Sequence, residues 1–380
     1  RVQKLVQSAF AGKPEDIISQ SVAKALYGEV SPYSATRLER FAACAFAHFL
    51  QYGMKLTERV EYEFKPMDMG NVMHEALESF AEEVRKRGMK WTELTEQERN
   101  EIADRCLDNI VADYGNTVLK SSARNEYMIE RTRRILRRTV WALQKQLEQG
   151  EFQPEGFEVT FGGGRIDRVD IMEDQNKVYV KVIDYKTGNT SFDLVYLYHG
   201  LQLQLMIYLD GALRVEQKKY PDKEIIPAGV FYYNIKDPMI QEKIDADVEA
   251  VSAGLMKELK MNGLVQADPE LVYRMDSSLG SIPVAFNKDG SFRKNSSVAD
   301  RTQFAVLGRY VRTKIEKIRS SILEGDAEVS PYELGKKNAC TYCPYMTVCG
   351  FDRRLSGYEF RRLKNFSDEE LWKAFDREAE

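Results

Sequence analysis

GGGRIDRVDIMEDQNKVYVKVIDYKTG, residues 162–188, is the stretch on which the fold turns. Residues 164–173 and 177–187 are rich in Val, Ile and Tyr and read as two β-strands, with Glu173-Asp174-Gln175-Asn176 as the turn between them. Successive side chains on a strand point to opposite faces. Arg165, Asp167, Val169 and Ile171 therefore share one face, and Asp170 points the other way. On the second strand Val182, Asp184 and Lys186 share a face. A hairpin brings Asp167 and Asp184 together, with Lys186 just beyond. Two carboxylates so placed suit Mg²⁺, which takes oxygen ligands and keeps several waters. Such a metal positions and acidifies a water, and Lys186 is placed to stabilise charge developing on a phosphate. The bland alternative is a surface hairpin with solvated charges. That is the expectation for Asp170. Asp184 and Lys186 instead end an apolar VYVKVI strand, where buried charges need partners.

Outward from the hairpin, residues 155–163 are β-like, 200–215 have helical periodicity, and 226–236 (IPAGVFYYNIK) read as another strand. The order strand, strand, strand, helix, strand, after a helix, predicts a compact α/β unit with a mixed sheet. Upstream, 35–50 (ATRLERFAACAFAHFL) reads as a helix. A second begins at Asp68 as N-cap and carries Met69, Val72, Met73, Ala76, Phe80 and Val84 at helical spacing. Residues 94–150 read as two or three amphipathic helices, with glycine punctuation at Gly88, Gly115 and Gly150. Residues 262–297 are polar and irregular and predict a loop or mobile insertion. A long helix over 299–324 follows, then a cysteine cluster and an acidic tail. No internal repeat is visible.

The chain has 380 residues, of which 43% are hydrophobic, enough for a sizeable core and against disorder as the main state. Its length predicts two or three packed units. Lys+Arg number 55 against 59 Asp+Glu, a balance of −4, so any basic surface for nucleic acid must be local. One candidate is Arg131, Arg134 and Arg138, spaced to form one stripe on a helix; the alternative is a solvated face pairing with Glu126 and Glu130. No apolar run approaches the roughly 20 residues of a membrane span, and no secretory signal opens the chain. It begins with Arg1 rather than Met, as a piece of a longer protein would.

Five cysteines, Cys44, Cys106, Cys340, Cys343 and Cys349, form an odd set that points to a reducing compartment rather than a disulfide framework. Three of them crowd into ten residues. Cys340-x2-Cys343-x5-Cys349 offers three soft ligands, and a fourth must come from elsewhere, from Cys44 or Cys106. Four such thiolates hold zinc or an iron–sulfur cluster. The three-plus-one split leans toward a 4Fe–4S cluster. Elsewhere, His74 flanks the apolar stripe of its helix, as core histidines also do. Gln204 and Tyr208 are four apart and share a helix face.

Together these words resemble one family. SATRLERFAACAFAHFL, YGMKLTERVEYEF, DMGNVMHEALESF, GRIDRVD, IDYKTG, GLQLQLMIYLDGAL, AGVFYYNIKDP and CTYCPYMTVCGFD run in order from about residue 34 to 352. They are similar to the C-terminal nuclease region of AddB, a family of subunits of bacterial ATP-dependent helicase–deoxyribonucleases; IDYKTG alone points only to the wider PD-(D/E)XK nuclease superfamily. The resemblance implies a restriction-endonuclease-like core, a mixed sheet flanked by helices, with an extra helical region and a C-terminal iron–sulfur loop. It implies metal ligands at His74, Asp167, Asp184 and the Tyr185 carbonyl, and a catalytic Lys186. It also implies a glutamine–tyrosine motif at Gln204 and Tyr208 near the scissile strand, and cluster ligands at Cys44, Cys340, Cys343 and Cys349, leaving Cys106 structural. Ala45 stands where the family commonly has proline. No GxxxxGK[ST] phosphate loop occurs, so ATP binding and Chi recognition fall, by resemblance, outside this chain.

The segments expected are an N-terminal helical part (1–66), the nuclease core (67–240, with a helical insertion at about 90–150), a helical region (241–330) and the cluster loop with its tail (331–380). The implied function is a Mg²⁺-dependent (or Mn²⁺-dependent) DNA exonuclease of a cytoplasmic bacterial repair machine. It would trim the 5′-ended strand beside an AddA-like partner, with no membrane role. The alternatives are a stand-alone CRISPR-associated type of nuclease, or a non-catalytic DNA-binding module stapled by its cluster, with zinc as the less favoured occupant.

Overall fold

The computed structural model describes residues 2, 17–28, 33–57, 66–113, 122–162, 164–240 and 247–379. Gly115, Gly163 and the 58–65 part of the YGMKLTERVEYEF word lie outside the described residues. Among those described, no helix is long and apolar enough to cross a membrane.

Six strands form one mixed sheet in the order β1-β2-β3-β4-β5-β6. β1 (Gln153–Phe161), β2 (Gly164–Asp174) and β3 (Lys177–Lys186) are antiparallel neighbours. The β2–β3 turn closes where Asp174 pairs with Lys177, and Gln175 takes the left-handed conformation (φ 43°) that so tight a turn demands. β4 (Glu224–Asn234) joins β3 in parallel. Parallel neighbours need a crossover, and the helix Gln204–Lys219 lies in that connection. β5 (Asn262–Gln266) runs antiparallel to β4, and β6 (Val298–Ala299) parallel to β5.

The chain divides into two compact units cut from interleaved stretches: 61–192 with 208–304, and 1–60 with 193–207 and 305–380. The first holds the sheet. Its core joins Phe80 of the helix Pro66–Lys86 and Leu136 and Leu143 of the helix Ala123–Glu148 to Ile183, Phe231 and Tyr233 of the strands. Burying such side chains contributes about 1.5–3 kcal/mol each.

Several expectations need correction. Residues 262–297 are not an insertion. They supply β5 and the helix Pro269–Met275, and Val265, Leu271, Val272, Ile282 and Val284 are buried. Their polar composition comes from turns: Asp276 alone accepts from the backbone and hydroxyls of Ser278 and Ser281. Asp68 lies within the first turn of the helix Pro66–Lys86 rather than capping it. Arg134 faces Asp237 at 2.6 Å, with Arg138 at 4.0 Å from the same carboxylate, so neither pairs with Glu126 or Glu130.

The largest correction is Asp170. Alternation does place it away from Asp167, but it is fully buried rather than solvated. Arg168 grips it through Nε (2.5 Å) and Nη2 (2.9 Å), and Lys181 through Nζ (3.0 Å). The helices over that face of the sheet exclude water, a fact that strand alternation does not carry.

In the second unit, the predicted 35–50 helix is broken. Ala35–Ala43 ends at Cys44, whose backbone is extended (φ −167°, ψ 117°), before Ala45–His48 resumes and Phe49–Gly53 finishes in a wider turn. A small sheet orders β8 (Lys337–Asn338), β7 (Tyr332–Leu334) and β9 (Arg361–Arg362).

Candidate functional site

In the sheet unit, Asp167 sits on β2 one position beyond the Arg168↔Ile183 pair, and so opposite Asp184 of β3. Both carboxylates are nearly buried, and the Tyr185 N–H donates to Asp167 Oδ2 at 2.7 Å. His74, from the helix Pro66–Lys86, brings Nδ1 to 3.4 Å from Asp167 Oδ2 and 3.9 Å from Glu158 Oε1. His74, Glu158 and Asp167 each offer one ligand atom within 4.8 Å of the others. Lys186 Nζ lies 2.6 Å from Asp184 Oδ2.

Glu158 is the residue that sequence reading missed. It falls between the register pairs Phe157↔Arg168 and Val159↔Ile166, hence across from Asp167. Its φ is 49°, left-handed for a non-glycine residue inside a strand. Such conformations are uncommon and collect at functional sites. Its side chain is 7% exposed and also contacts Arg165. No motif marks GFEVTF, and a lone acid in an alternating strand reads as solvent-facing.

The electrostatics show a site short of positive charge. Burial, and then the charge of Asp167, push the Asp184 carboxyl up to about 7 despite the pull of Lys186. Burial alone lowers a histidine, yet hydrogen bonds to Asp167 and Glu158 and the charges of Asp167 and Asp184 carry His74 up to about 10. Protonated His74 and Lys186 thus face three carboxylates. Hard oxygens crowded around one point, with one imidazole, fit a small divalent cation.

The remaining predicted residues divide. Tyr185 is buried with its ring edge-on to His74 (6.1 Å), and burial pushes its phenol up to about 12. Tyr208 is buried against Phe161 edge-on at 5.9 Å in the sheet unit. Gln204 falls in the other unit, where its N–H donates to Glu39 Oε1 at 2.9 Å. The structure therefore does not bring Gln204 and Tyr208 into one described site.

In the second unit, Cys44, Cys340, Cys343 and Cys349 line one small apolar cavity with Phe46, Val329 and Pro331. The break at Cys44 is held to the C-terminal segment: Phe46 N–H donates to Glu328 O (2.9 Å), Arg361 to Ala42 O, and Tyr345 Oη to Leu56 O (3.0 Å). Burial, and then the neighbouring cysteines, push the Cys340 thiol up to about 12. Four thiolates there repel one another until a cation neutralises them. Cys106 is buried mid-helix in the other unit.

A family model for the PD-(D/E)XK nuclease superfamily matches residues 32–350. The chain is also similar to curated proteins named as the AddB component of an ATP-dependent helicase/deoxyribonuclease. That of Lachnoclostridium phytofermentans is 42% identical over all of this chain and 34% of the relative. That of Thermoanaerobacter sp. is 34% identical over all of this chain and 35% of the relative. That of Clostridium acetobutylicum is 35% identical over 96% of this chain and 33% of the relative. The chain thus spans about a third of the length of these relatives. The chain belongs to the PD-(D/E)XK nuclease superfamily.

Proposed function

We propose that this member of the PD-(D/E)XK nuclease superfamily is the deoxyribonuclease part of an AddB-like helicase–nuclease component, hydrolysing DNA phosphodiesters with Mg²⁺. The observation that carries the reading is the group His74, Glu158 and Asp167 within 4.8 Å, beside an Asp184 whose carboxyl burial and Asp167 push up to about 7. His74, Asp167, Asp184 and the Tyr185 carbonyl are the proposed ligands, with Glu158 adding a further oxygen. A divalent cation held there supplies charge to a phosphate oxygen and lowers the pKa of a bound water. The Tyr185 N–H fixes the Asp167 carboxylate, and Lys186 supplies a cation for charge developing on the phosphate. Tyr208 and Gln204 are proposed contacts to the strand being cut.

The cysteines are proposed to hold a structural 4Fe–4S cluster. Among the described residues no three of their sulphurs lie within 4.8 Å of one another. A tetrahedral zinc, with Zn–S bonds of about 2.3 Å, draws its sulphurs to roughly 3.8 Å apart, so the spacing favours the larger cluster. The names of the relatives support a helicase–nuclease setting. The proposed setting is further bacterial and cytoplasmic, in break repair from the 5′-ended strand, with an AddA-like partner.

Cleavage of duplex DNA ends in Mg²⁺, Mn²⁺ and Ca²⁺ tests the reading. Mg²⁺ or Mn²⁺ supports hydrolysis, and Ca²⁺ blocks it because its looser coordination misplaces the water. Lys186→Ala loses cleavage in both active metals. Full activity in Ca²⁺ alone, or an active Lys186→Ala variant, contradicts it.

A further inference from the structure

The hairpin that carries Asp167 and Asp184 is buried on both faces. Val169, Ile171, Val180 and Val182 lie on the face of the two aspartates, and Ile166, Met172 and Ile183 on the other. Strand register is ordinarily fixed because a one-residue slip turns the apolar set toward water. Here a slip exposes nothing, since apolar residues occupy both faces, so the apolar pattern leaves the register open. Charge does not. Asp170 and Lys181 are direct cross-strand partners, both buried, and Arg168 completes the pairing from two residues away. A slip of one residue moves Asp170 and Lys181 to opposite faces and leaves both charges buried without partners, an arrangement proteins avoid. Arg168 also lies over the rings of Trp91 (5.5 Å) and Phe157 (5.7 Å), and Phe157 is its partner on β1, next to Glu158.

We infer that Arg168, Asp170 and Lys181 are positioning residues: their buried ion triad sets the β2–β3 register and so places Asp167 opposite Asp184, with Glu158 alongside. The inference rests on the metal-site reading above but concerns residues that touch neither metal nor DNA. Buried polar groups that select one register over another are a known use of such interactions.

The test compares wild type, Lys181→Met and the apolar triple variant Arg168→Met/Asp170→Leu/Lys181→Met. Replacing a whole buried triad with apolar side chains often leaves stability unchanged or raised, so the triple variant is expected to melt near wild type. In the metal-free proteins, hydrogen exchange of the 166–184 amides is expected to quicken at least about tenfold in the triple variant, as alternative registers are visited. Mn²⁺, titrated calorimetrically, binds at least about tenfold more weakly, the scale of outer-shell losses at metal sites. The kcat for DNA cleavage falls while KM for DNA stays. A folded triple variant with wild-type exchange and wild-type Mn²⁺ affinity overturns the inference. If the triple variant does not fold, Lys181→Met decides, because Arg168 still neutralises Asp170 there: Mn²⁺ binding weakened about threefold supports the inference and unchanged binding overturns it. Wild type that binds no Mn²⁺ contradicts the metal-site reading instead, and hydrogen exchange in the metal-free variants then judges the triad alone.

Discussion

The carboxylate site and the cysteine cavity both gather like charges that need a cation, yet they are built on opposite plans. Asp167 and Asp184 are separated by 184 − 167 = 17 residues and meet across one turn. Cys44 and Cys340 are separated by 340 − 44 = 296 residues and meet only because the chain returns. The first site stands on adjacent strands whose backbone is already paired, so its ligands are held before any metal arrives, as chemistry requires. The second closes a long loop, which is where a cross-link removes most entropy from the unfolded chain. The contrast assigns chemistry to the hard site and stability to the soft one.

That division can be broken from the stability side first. Cys44→Ala is expected to lose the bound iron and to destabilise the chain by about 5 kcal/mol, the scale of a covalent closure over more than 100 residues. Metal analysis and denaturant unfolding check this; a Cys44→Ala variant that keeps its iron transfers the ligand to another residue. Asp170→Ala is expected to cost about 3–5 kcal/mol, because it strands Arg168 and Lys181 buried without their carboxylate. Burial raises an acid, but Arg168 and Lys181 hold Asp170 below the usual carboxylate range. Its contribution is therefore present above the ordinary aspartate pKa and lost as pH falls through the lowered folded value. Urea unfolding of wild type and variant should converge at strongly acid pH; a constant gap contradicts the ion pairing.

Smaller effects sharpen the comparison. Glu158→Gln keeps the shape and removes one charge, and should weaken Mg²⁺ binding about tenfold, read by calorimetry; an unchanged affinity removes Glu158 from the site. Cys106→Ala is expected to cost about 1 kcal/mol of packing with full iron content. Loss of iron there would exchange its role with that of Cys44.

The hairpin, Asp167, Asp184 and Lys186 were legible because a strand's period and one tight turn suffice to juxtapose them. Glu158 was not, since its reach into the site depends on a left-handed backbone that no residue type announces. Asp170 was half legible: alternation gave its direction, but the helices that bury it come from remote sequence. The break at Cys44 was hidden inside an unbroken helical pattern, and only the return of residues near 328 and 361 reveals why the chain opens there. The polar 262–297 stretch misled because its serines and aspartate bond among themselves, leaving its apolar minority to complete the sheet unit.

Single-turnover cleavage of duplex DNA in Mg²⁺, run side by side on wild type, Asp184→Ala and Cys349→Ala below their melting temperatures, tests the division most directly. Asp184→Ala is expected to lose at least about a thousandfold in rate, because it removes a ligand from the charge-stabilising centre. Cys349→Ala, folded but without its iron, is expected to keep its rate within about tenfold. A folded Asp184→Ala that cleaves at the wild-type rate, or a folded Cys349→Ala that does not cleave at all, contradicts the account.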